Sequence, residues 1–269
     1  MERELLRALQ LTELRILEEV DRFCQKHGIK YALYSGTALG AIRHGGFIPW
    51  DDDIDIVMIR SEYDRFCTLF QQDPIEGYSI ENIETDTRCE VNHTKIRKDD
   101  TVLIVQGENE YDGRPHGVWI DLFAWDKISQ NERRNLSFYL QTARLFLFTR
   151  ASGVHPGESF GRRLGRGVFR LLPKSLRIRG QRKSMRWLRA HDAAVKDGFV
   201  WTSTSSFGGL KLRMTPDIPM HLKKIRFENG EYPVFENCDA YLRAGYGDYM
   251  QLPPPEQRVC THNPLKMIL

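Results

Sequence analysis

The run Asp51–Asp55 places four aspartates within five residues, directly before a strongly apolar stretch. Ile54–Ile59 is rich in β-branched and other apolar residues and predicts a buried strand. Side chains alternate between the two faces of a strand, so Asp53 and Asp55 are expected to point the same way, with the isoleucines beside them in the core. Two carboxylates on one face repel each other unless a cation lies between them. The run therefore predicts a metal site at the start of a buried strand.

A second acidic residue with apolar neighbours, Asp121, lies in the predicted strand Gly117–Phe123. If this strand neighbours the first at about 4.8 Å, its carboxylate joins those of Asp53 and Asp55. Magnesium favours one or two protein carboxylates together with phosphate oxygens. Three carboxylates suit two ions roughly 3.5–4 Å apart, the spacing used for in-line phosphoryl displacement. We expect two Mg²⁺ ions at these aspartates, with Mn²⁺ as a substitute and Asp126 as an alternative to Asp121.

Two other interpretations of the acidic run are a solvated surface loop and a calcium-binding loop. Glu62 occupies position twelve of an EF-hand loop that begins at Asp51. Position six, however, is Ile56 where such a loop needs glycine, and Ile59 occupies another ligand position. The pattern therefore favours a catalytic pair over a calcium loop.

A phosphate-binding turn is predicted at Gly36–Thr37, between a strand and a short helix that runs to Arg43. Backbone N–H groups and a hydroxyl at the N-terminus of a helix form a ready anion site. The turn precedes Asp53 by seventeen residues, so one short helix and a loop bring the next strand alongside. A phosphate bound there would face the metal ions.

The remaining pattern predicts an α+β core over residues 1–128. An opening helix ends at Gly28 and has one apolar face, formed by Leu5, Leu9, Ile16, Val20, Phe23 and Cys24. The core continues with the strand Tyr31–Ser35, a helix from the capping residue Ser61 to Phe70, and the strands Tyr78–Ile83, His93–Arg97 and Val102–Val105.

Residues 129–269 are predicted to form a mostly helical elaboration whose C-terminal motif completes the site. It comprises a helix over Glu132–Arg150, a hairpin over Phe227–Phe235 with Asn229-Gly230 at its turn, and a helix over Cys238–Ala244. Five scattered cysteines without a CxxC pair indicate neither a disulfide framework nor a zinc site. Because neither a secretion signal nor a transmembrane stretch is expected, the predicted location is the cytoplasm.

The segment Arg162–Arg189 contains eleven basic and no acidic residues, although the formal net charge of the chain is only +3. Apolar residues alternate with the basic ones, and Pro173 and Gly180 are expected to break the helices. This composition suits a helix that lies apolar face down on an anionic membrane, here the inner membrane face. A solvated helical face is the alternative; no nucleic-acid-binding module is visible, so no nucleic-acid partner is expected.

Three motifs resemble the LicD-type (phosphocholine and fukutin-related) phosphotransferase family: GTALGAIRHGGFIPWDDDIDI at Gly36–Ile56, GVWIDLFAWD at Gly117–Asp126 and YGDYMQLPPPEQR at Tyr246–Arg258. The resemblance implies a nucleotidyltransferase-like, polymerase-beta-type fold and a mixed sheet. It also implies a CDP-linked donor such as CDP-choline, a glycan or lipid-linked glycan acceptor, and release of CMP. The residues that match the family's site are Asp53, Asp55 and Asp121 as metal ligands, Asp51 as a further acid, and Asp248, Arg258 and His262 near the C-terminus.

Cationic side chains that could clamp a diphosphate follow the turn and occupy one strand face: Arg43, His44, Lys95 and Arg97. Solvated strand residues are the alternative for the last two, and Trp50 is expected either to pack in the core or to stack on the donor. The acceptor hydroxyl would be activated by Asp121 as general base, by coordination to the metal, or by both. Competing functions are a nucleotidyltransferase that adenylylates a small molecule and a non-catalytic membrane adaptor.

Overall fold

The structure of the chain, a computed structural model, describes residues 1–89, 91–106, 108, 110–111, 113–149, 167, 171–204, 209–262 and 264–269. Within these residues the helices are α1 (Arg3–His27), α2 (Ser35–His44), α3 (Arg60–Gln72), α4 (Leu136–Thr149), α5 (Lys174–Ala194) and α6 (Cys238–Tyr246). The strands are β1 (Ala32–Leu33), β2 (Asp55–Ile59), β3 (Tyr78–Glu81), β4 (Thr94–Lys98), β5 (Val102–Val105), β6 (Trp119–Ser129), β7 (Phe199–Ser203), β8 (Leu222–Phe227), β9 (Gly230–Phe235) and β10 (Pro264–Ile268).

One mixed sheet organises the molecule, with strand order β1-β2-β6-β4-β3 and β7 also paired to β6. β2 and β6 are parallel, whereas the other neighbours are antiparallel. β6 is the longest strand: residues 119–122 pair with β4 and residues 125–129 pair with β7. Helices α1, α2 and α3 contact this sheet. The result is the mixed sheet with flanking helices that the sequence predicts for an α+β fold.

Helix α1 confirms the predicted opening helix, and Gly28 ends it in the left-handed region at φ 61°. The predicted apolar face is wrong at one position, because Leu5 is 43% exposed. Leu6, which lies nearer the centre of the face that holds Leu9 and Leu17, is buried in its place. The buried face also contains a charged residue, Glu13, that the sequence pattern did not single out.

Several predicted boundaries are shifted. Strand β1 is only two residues long, because α2 already begins at Ser35, which lies at φ 49°. Ser61 does not cap α3, since the helix begins one residue earlier at Arg60. The hairpin turn consists of Glu228 and Asn229, and Gly230 is already paired with Phe227 in β9.

The C-terminal half is less helical than predicted, because it also supplies β7 to β10. The predicted boundary near residue 128 falls inside β6, whose last residues pair with β7, so the two halves share the sheet. β10 likewise pairs with β5 of the predicted core. The C-terminal chain is thus part of the same folded unit.

Helix α5 contains all the described basic residues of the segment Arg162–Arg189. Residues 162–166 and 168–170 of that segment lie outside the described residues. It begins after Pro173 as predicted, but Gly180 does not break it. A Cβ atom at Gly180 would meet the Phe148 ring at 2.5 Å, so this glycine allows α4 and α5 to approach closely. Two apolar residues of α5, Met185 and Leu188, are buried against α4, whereas Leu176 near its start is 48% exposed. The prediction of an apolar face turned towards a membrane is therefore wrong for the C-terminal part of α5. Among the described residues, no helix is long and apolar enough to cross a bilayer.

Candidate active site

Asp55 and Asp121 lie side by side because β2 and β6 are parallel and in register at these two residues. A backbone hydrogen bond of 2.8 Å from Asp121 N to Ile54 O fixes this pairing. Both carboxylates belong to buried residues, 8% and 7% exposed. The prediction that the two acidic strands are neighbours is confirmed.

Asp53 is not on the strand, since β2 begins at Asp55. Asp51, Asp52 and Asp53 instead belong to the loop before β2, and a carboxylate oxygen from each lies within 4.8 Å of the others. The acidic site is therefore a loop cluster placed next to a strand pair. The alternation of side chains along a single strand therefore does not account for the positions of these carboxylates.

The N-terminus of α2 supports this loop from one side. Thr37 Oγ1 accepts a hydrogen bond of 2.8 Å from Asp55 N, so the predicted phosphate ligand in fact positions the start of β2. At Gly36 a Cβ atom would lie 2.8 Å from Asp51 Oδ2, so a larger residue would displace that carboxylate. Ser35 is held by Tyr241 and Tyr246, whose hydroxyls lie 2.8 Å from its N and 2.9 Å from its Oγ.

A cavity of about 670 Å³ opens between the α2 turn, the acidic loop and the C-terminal chain. Its acidic lining consists of Asp51, Asp53 and Asp55, and the exposed residue Asp248 of the C-terminal chain also lines it. Trp50, half-buried, lines the cavity with Arg43 and Tyr246, so it is available to a ligand as well as to packing. Residues 251–254 and Thr261 complete the wall.

The carboxylates of this site differ in their protonation equilibria. Burial, reinforced by the charges of Asp53 and Asp52, raises the pKa of Asp51 to about 8. Burial likewise raises the pKa of Asp53 to about 6, and the pKa of Asp55 rises well above its usual value because of burial and the charges of Asp53 and Asp121. Buried like charges of this kind are relieved by a hard divalent cation, for which carboxylate oxygens are the preferred ligands. The donor set therefore fits Mg²⁺ or Mn²⁺.

Asp121 behaves in the opposite way. Burial acts to raise its pKa, but the nearby charges of His93, Lys95 and His262 together outweigh burial, and the pKa lies below the usual range. His93 Nε2 lies 3.1 Å from Asp121 Oδ1. Sequence reasoning missed His93 as a site residue, although its position two residues before Lys95 placed it on the same face of the predicted strand.

Asp52 is the second residue that sequence reasoning missed. It is 2% exposed and anchors the C-terminal chain: Thr261 N and Oγ1 donate to Oδ1 at 3.1 and 2.9 Å, and His262 N donates to Oδ2 at 3.0 Å. These bonds place His262 beside the acidic loop. Against the opposing effect of burial, the hydrogen bonds of the His262 side chain and backbone N–H, together with the charge of His262, lower the pKa of Asp52 to about 2. The prediction that a C-terminal motif completes the site has this anchor as its structural basis.

Arg43 lines the cavity, and Arg258 lies close enough for its charge to act on Arg43. Arg43 Nη1 donates to Tyr249 O at 2.7 Å, and burial together with the charge of Arg258 lowers the pKa of Arg43. Arg258 donates to Pro253 O at 2.8 Å and lies 5.6 Å from the centroid of the Trp50 ring. Their proximity suits the binding of an anion. His44, exposed and packed edge-on against Trp50, does not line the cavity.

Lys95 and Arg97 have different environments although both project from the same face of β4. Lys95 is paired across the sheet with Asp121, and its Nζ lies 3.6 Å from the Trp119 ring centroid. Arg97 is 1% exposed, ion-paired with Glu81 at 2.7 Å and bonded to Gly117 O at 2.9 Å. The structure brings Lys95 to the acidic site and commits Arg97 to a structural ion pair.

Asp126, the alternative to Asp121, is also committed elsewhere. It is fully buried and accepts two hydrogen bonds from Arg60, at 2.7 and 2.8 Å, and one from Thr204 Oγ1 at 2.8 Å. Its carboxylate has no role in the cavity. Asp121 is therefore the acid that β6 contributes to the site.

The fold and the match of a family model define this class of protein: a nucleotidyltransferase domain. The model, described as LicD/FKTN/FKRP, nucleotidyltransferase domain, matches residues 28–150. The chain is 30% identical over 276 residues, 97% of both chains, to the lipopolysaccharide cholinephosphotransferase LicD of Haemophilus influenzae. The chain belongs to the LicD/FKTN/FKRP family.

Two shorter similarities are to other proteins. The human ribitol 5-phosphate transferase FKRP is 45% identical over 47 residues, which are 16% of this chain and 10% of that protein. An uncharacterised protein of Rickettsia typhi is 38% identical over 83 residues, 31% of this chain and 26% of that protein. The names of the Haemophilus influenzae and human proteins both describe transferases of a phosphate-containing group.

Proposed function

We propose that this protein transfers a substituted phosphate, phosphocholine or a similar alcohol phosphate, from a CDP-linked donor to a glycan hydroxyl and releases CMP. The observation that carries the proposal is the register of β2 and β6, which sets Asp121 beside Asp55, and Asp55 lines the cavity together with Gly36 and Asp53. The full-length similarity to a lipopolysaccharide cholinephosphotransferase supports the transferred group and a cell-surface glycan as acceptor.

The acidic residues Asp53, Asp55 and Asp121 would hold the divalent cation, with Asp51 beside them. A bound Mg²⁺ or Mn²⁺ would polarise the phosphate and neutralise the charge that develops on its oxygens. Arg43 and Arg258 would bind the donor's diphosphate, and Lys95 would add positive charge near Asp121. Two cations are expected from the number of carboxylates.

In this proposal Asp121 would orient the acceptor hydroxyl, and coordination to the cation would activate it by lowering the pKa of the hydroxyl. The low pKa of Asp121 keeps its side chain ionised, which suits a cation ligand that accepts a hydrogen bond from the hydroxyl but makes the carboxylate a weak general base. Trp50 and Tyr246 provide apolar surface beside the acidic lining, where the alcohol of the donor would lie.

The proposed location is the cytoplasmic face of the membrane, where a lipid-linked glycan acceptor would be presented. Support comes from α5, whose exposed residues Arg179, Arg182, Lys183 and Arg186 form one basic face. Since Met185 and Leu188 on the other side of α5 are buried in the protein, contact of the basic face with anionic lipid headgroups would be chiefly electrostatic.

The test is incubation of the protein and Mg²⁺ with glycan acceptor and a panel of CDP-alcohols, with CMP release as the readout. Asp55→Asn and Asp121→Asn should each lower the rate by about 100-fold or more, because a bound cation contributes several kcal/mol to the transition state. Asp197→Asn, at an exposed position, should retain the wild-type rate. Pyrophosphate release from ATP with no CMP from any CDP-alcohol would instead establish the adenylylating alternative.

A further inference from the structure

Glu13 lies on the buried face of α1, in contact with the core of the molecule. The residue is 1% exposed, and its Oε2 atom has no hydrogen-bond partner among the residues that the structure describes. One helical turn earlier on the same face, Gln10 Nε2 donates to Asp51 O at 2.9 Å. Helix α1 therefore supports the acidic loop from behind, and it presents a carboxyl group there.

The strongest charges acting on Glu13 are negative: beside burial, the carboxylates of Asp53, Asp52, Asp51 and Asp121 act on it. Two other buried acids in the described chain have a partner of opposite sign, since Asp126 pairs with Arg60 and Glu81 pairs with Arg97. A buried carboxylate that stays ionised without such a partner costs several kcal/mol, which a nearby cation would offset.

We propose that Glu13 is a positioning residue of the divalent-cation site, which stabilises the bound cation from the side of α1. The proposal rests on the proposed function, because the same cation is assigned there to the aspartates. A cation gathered by Asp53, Asp55 and Asp121 supplies the positive charge that Glu13 lacks within the protein. Residues that surround metal ligands in this way typically contribute 10–100-fold to metal affinity.

The experiment is a titration of the full-length protein with Mn²⁺ alone, with the free ion followed by its paramagnetic resonance signal. Glu13→Gln keeps the size of the side chain and removes its charge, so it should bind Mn²⁺ about 10–100-fold more weakly than wild type. Its melting temperature without metal should be close to that of wild type, because glutamine fills the same buried space and Oε2 has no hydrogen-bond partner to lose among the described residues. Glu19→Gln, on the same helix but partly exposed, should bind Mn²⁺ like wild type.

Each outcome decides between the assignments. Wild-type Mn²⁺ affinity in Glu13→Gln would overturn the role of Glu13 and leave the proposed function standing. A melting temperature lowered by several degrees without metal would assign Glu13 to the fold and would also overturn it. If wild type itself bound no Mn²⁺, the cation of the proposed function would fail, and the role of Glu13 with it.

Discussion

Asp121 and Asp126 lie five residues apart on β6 and project from opposite faces of the strand. Asp121 meets Asp55 across the parallel pair, whereas Asp126 is enclosed with Arg60. Strand alternation alone separates the two, because an odd spacing reverses the face. The sequence therefore contained enough information to reject Asp126 once the strand was known to continue to Ser129.

Asp126→Asn should destabilise the protein by about 3–5 kcal/mol, because it leaves the buried guanidinium of Arg60 without its counter-charge. Urea denaturation of the purified protein measures this loss. Asp55→Asn serves as the comparison: it should lower the transfer rate by about 100-fold or more at little cost in stability, since burial and the charges of Asp53 and Asp121 already raise the pKa of Asp55 well above its usual value. A loss below 1 kcal/mol in Asp126→Asn would show that the ion pair with Arg60 does not hold this part of the fold.

Three site residues were missed at this scale for different reasons. Glu13 carried a signal, since an acid between Leu9 and Ile16 on an apolar helix face is anomalous. His93 carried a weaker one through its spacing from Lys95. Asp52 carried none, because its role depends on Thr261, which is 209 residues away in the chain.

The elements around the site were largely predictable, but their junctions were not. Alternating and β-branched patterns located β2, β4 and β6, and Gly28 located the end of α1. The start of α2 was missed because Ser35 adopts a positive φ, held there by contacts with α6. Local propensity has no access to such tertiary contacts. The same is true of α5, where Gly180 is retained in the helix by the packing of Phe148.

Helix α5 is tied to the core by Arg189, and this tie should depend on pH. Arg189 contacts Glu84 at 2.6 Å and Asp64 at 2.9 Å. The hydrogen bond from Arg189 lowers the pKa of Glu84, so the contribution of Glu84 to stability is complete above its unfolded pKa of about 4.3 and disappears as pH falls through the lower folded value. Burial raises the pKa of Asp64, which has the opposite effect on the pH dependence of stability. Because wild type and a Glu84 variant both contain Asp64, this effect cancels when their stabilities are compared.

We expect Glu84→Gln to be less stable than wild type by about 1 kcal/mol at pH 7, with the difference vanishing towards about pH 3. The free energy of unfolding in urea at both pH values measures it. Glu76→Gln, at an exposed position, controls for the loss of one negative charge and should show no such dependence. An unchanged difference at both pH values would mean that the ionised pair does not tie α5 to the core.

At the scale of the whole molecule, the site is assembled from distant parts of the chain. Helix α1 contributes Glu13, the loop before β2 contributes the aspartates, and Thr261 and His262 return from the C-terminus. Composition and periodicity do not reveal such contacts between segments that are far apart in the sequence. Only the resemblance of the Tyr246–Arg258 motif indicated that the C-terminal chain belongs to the site, and the structure supplies the anchor at Asp52.

The distribution of charge is the other feature of this scale. With the basic segment set aside, the chain has 28 basic and 36 acidic residues, so the positive charge is local. In the described part of that segment, the basic face of α5 is exposed, and Met185 and Leu188 on its other side are buried. An anionic surface should therefore attract the molecule in one orientation, chiefly through charge.

Vesicle sedimentation should show binding to anionic and not to neutral vesicles, and about 1 M salt should abolish it because the screening length falls to about 3 Å. Each basic residue near such a surface contributes about 1 kcal/mol, so replacement of the α5 basic face by glutamine should weaken binding at least about tenfold. The matched control replaces four basic residues of α1, which carry the same charge on another surface, by glutamine: Arg3, Arg15, Arg22 and Lys26. Equal loss in both variants would mean that net charge governs binding, and unchanged binding in the α5 variant would remove this face as the contact.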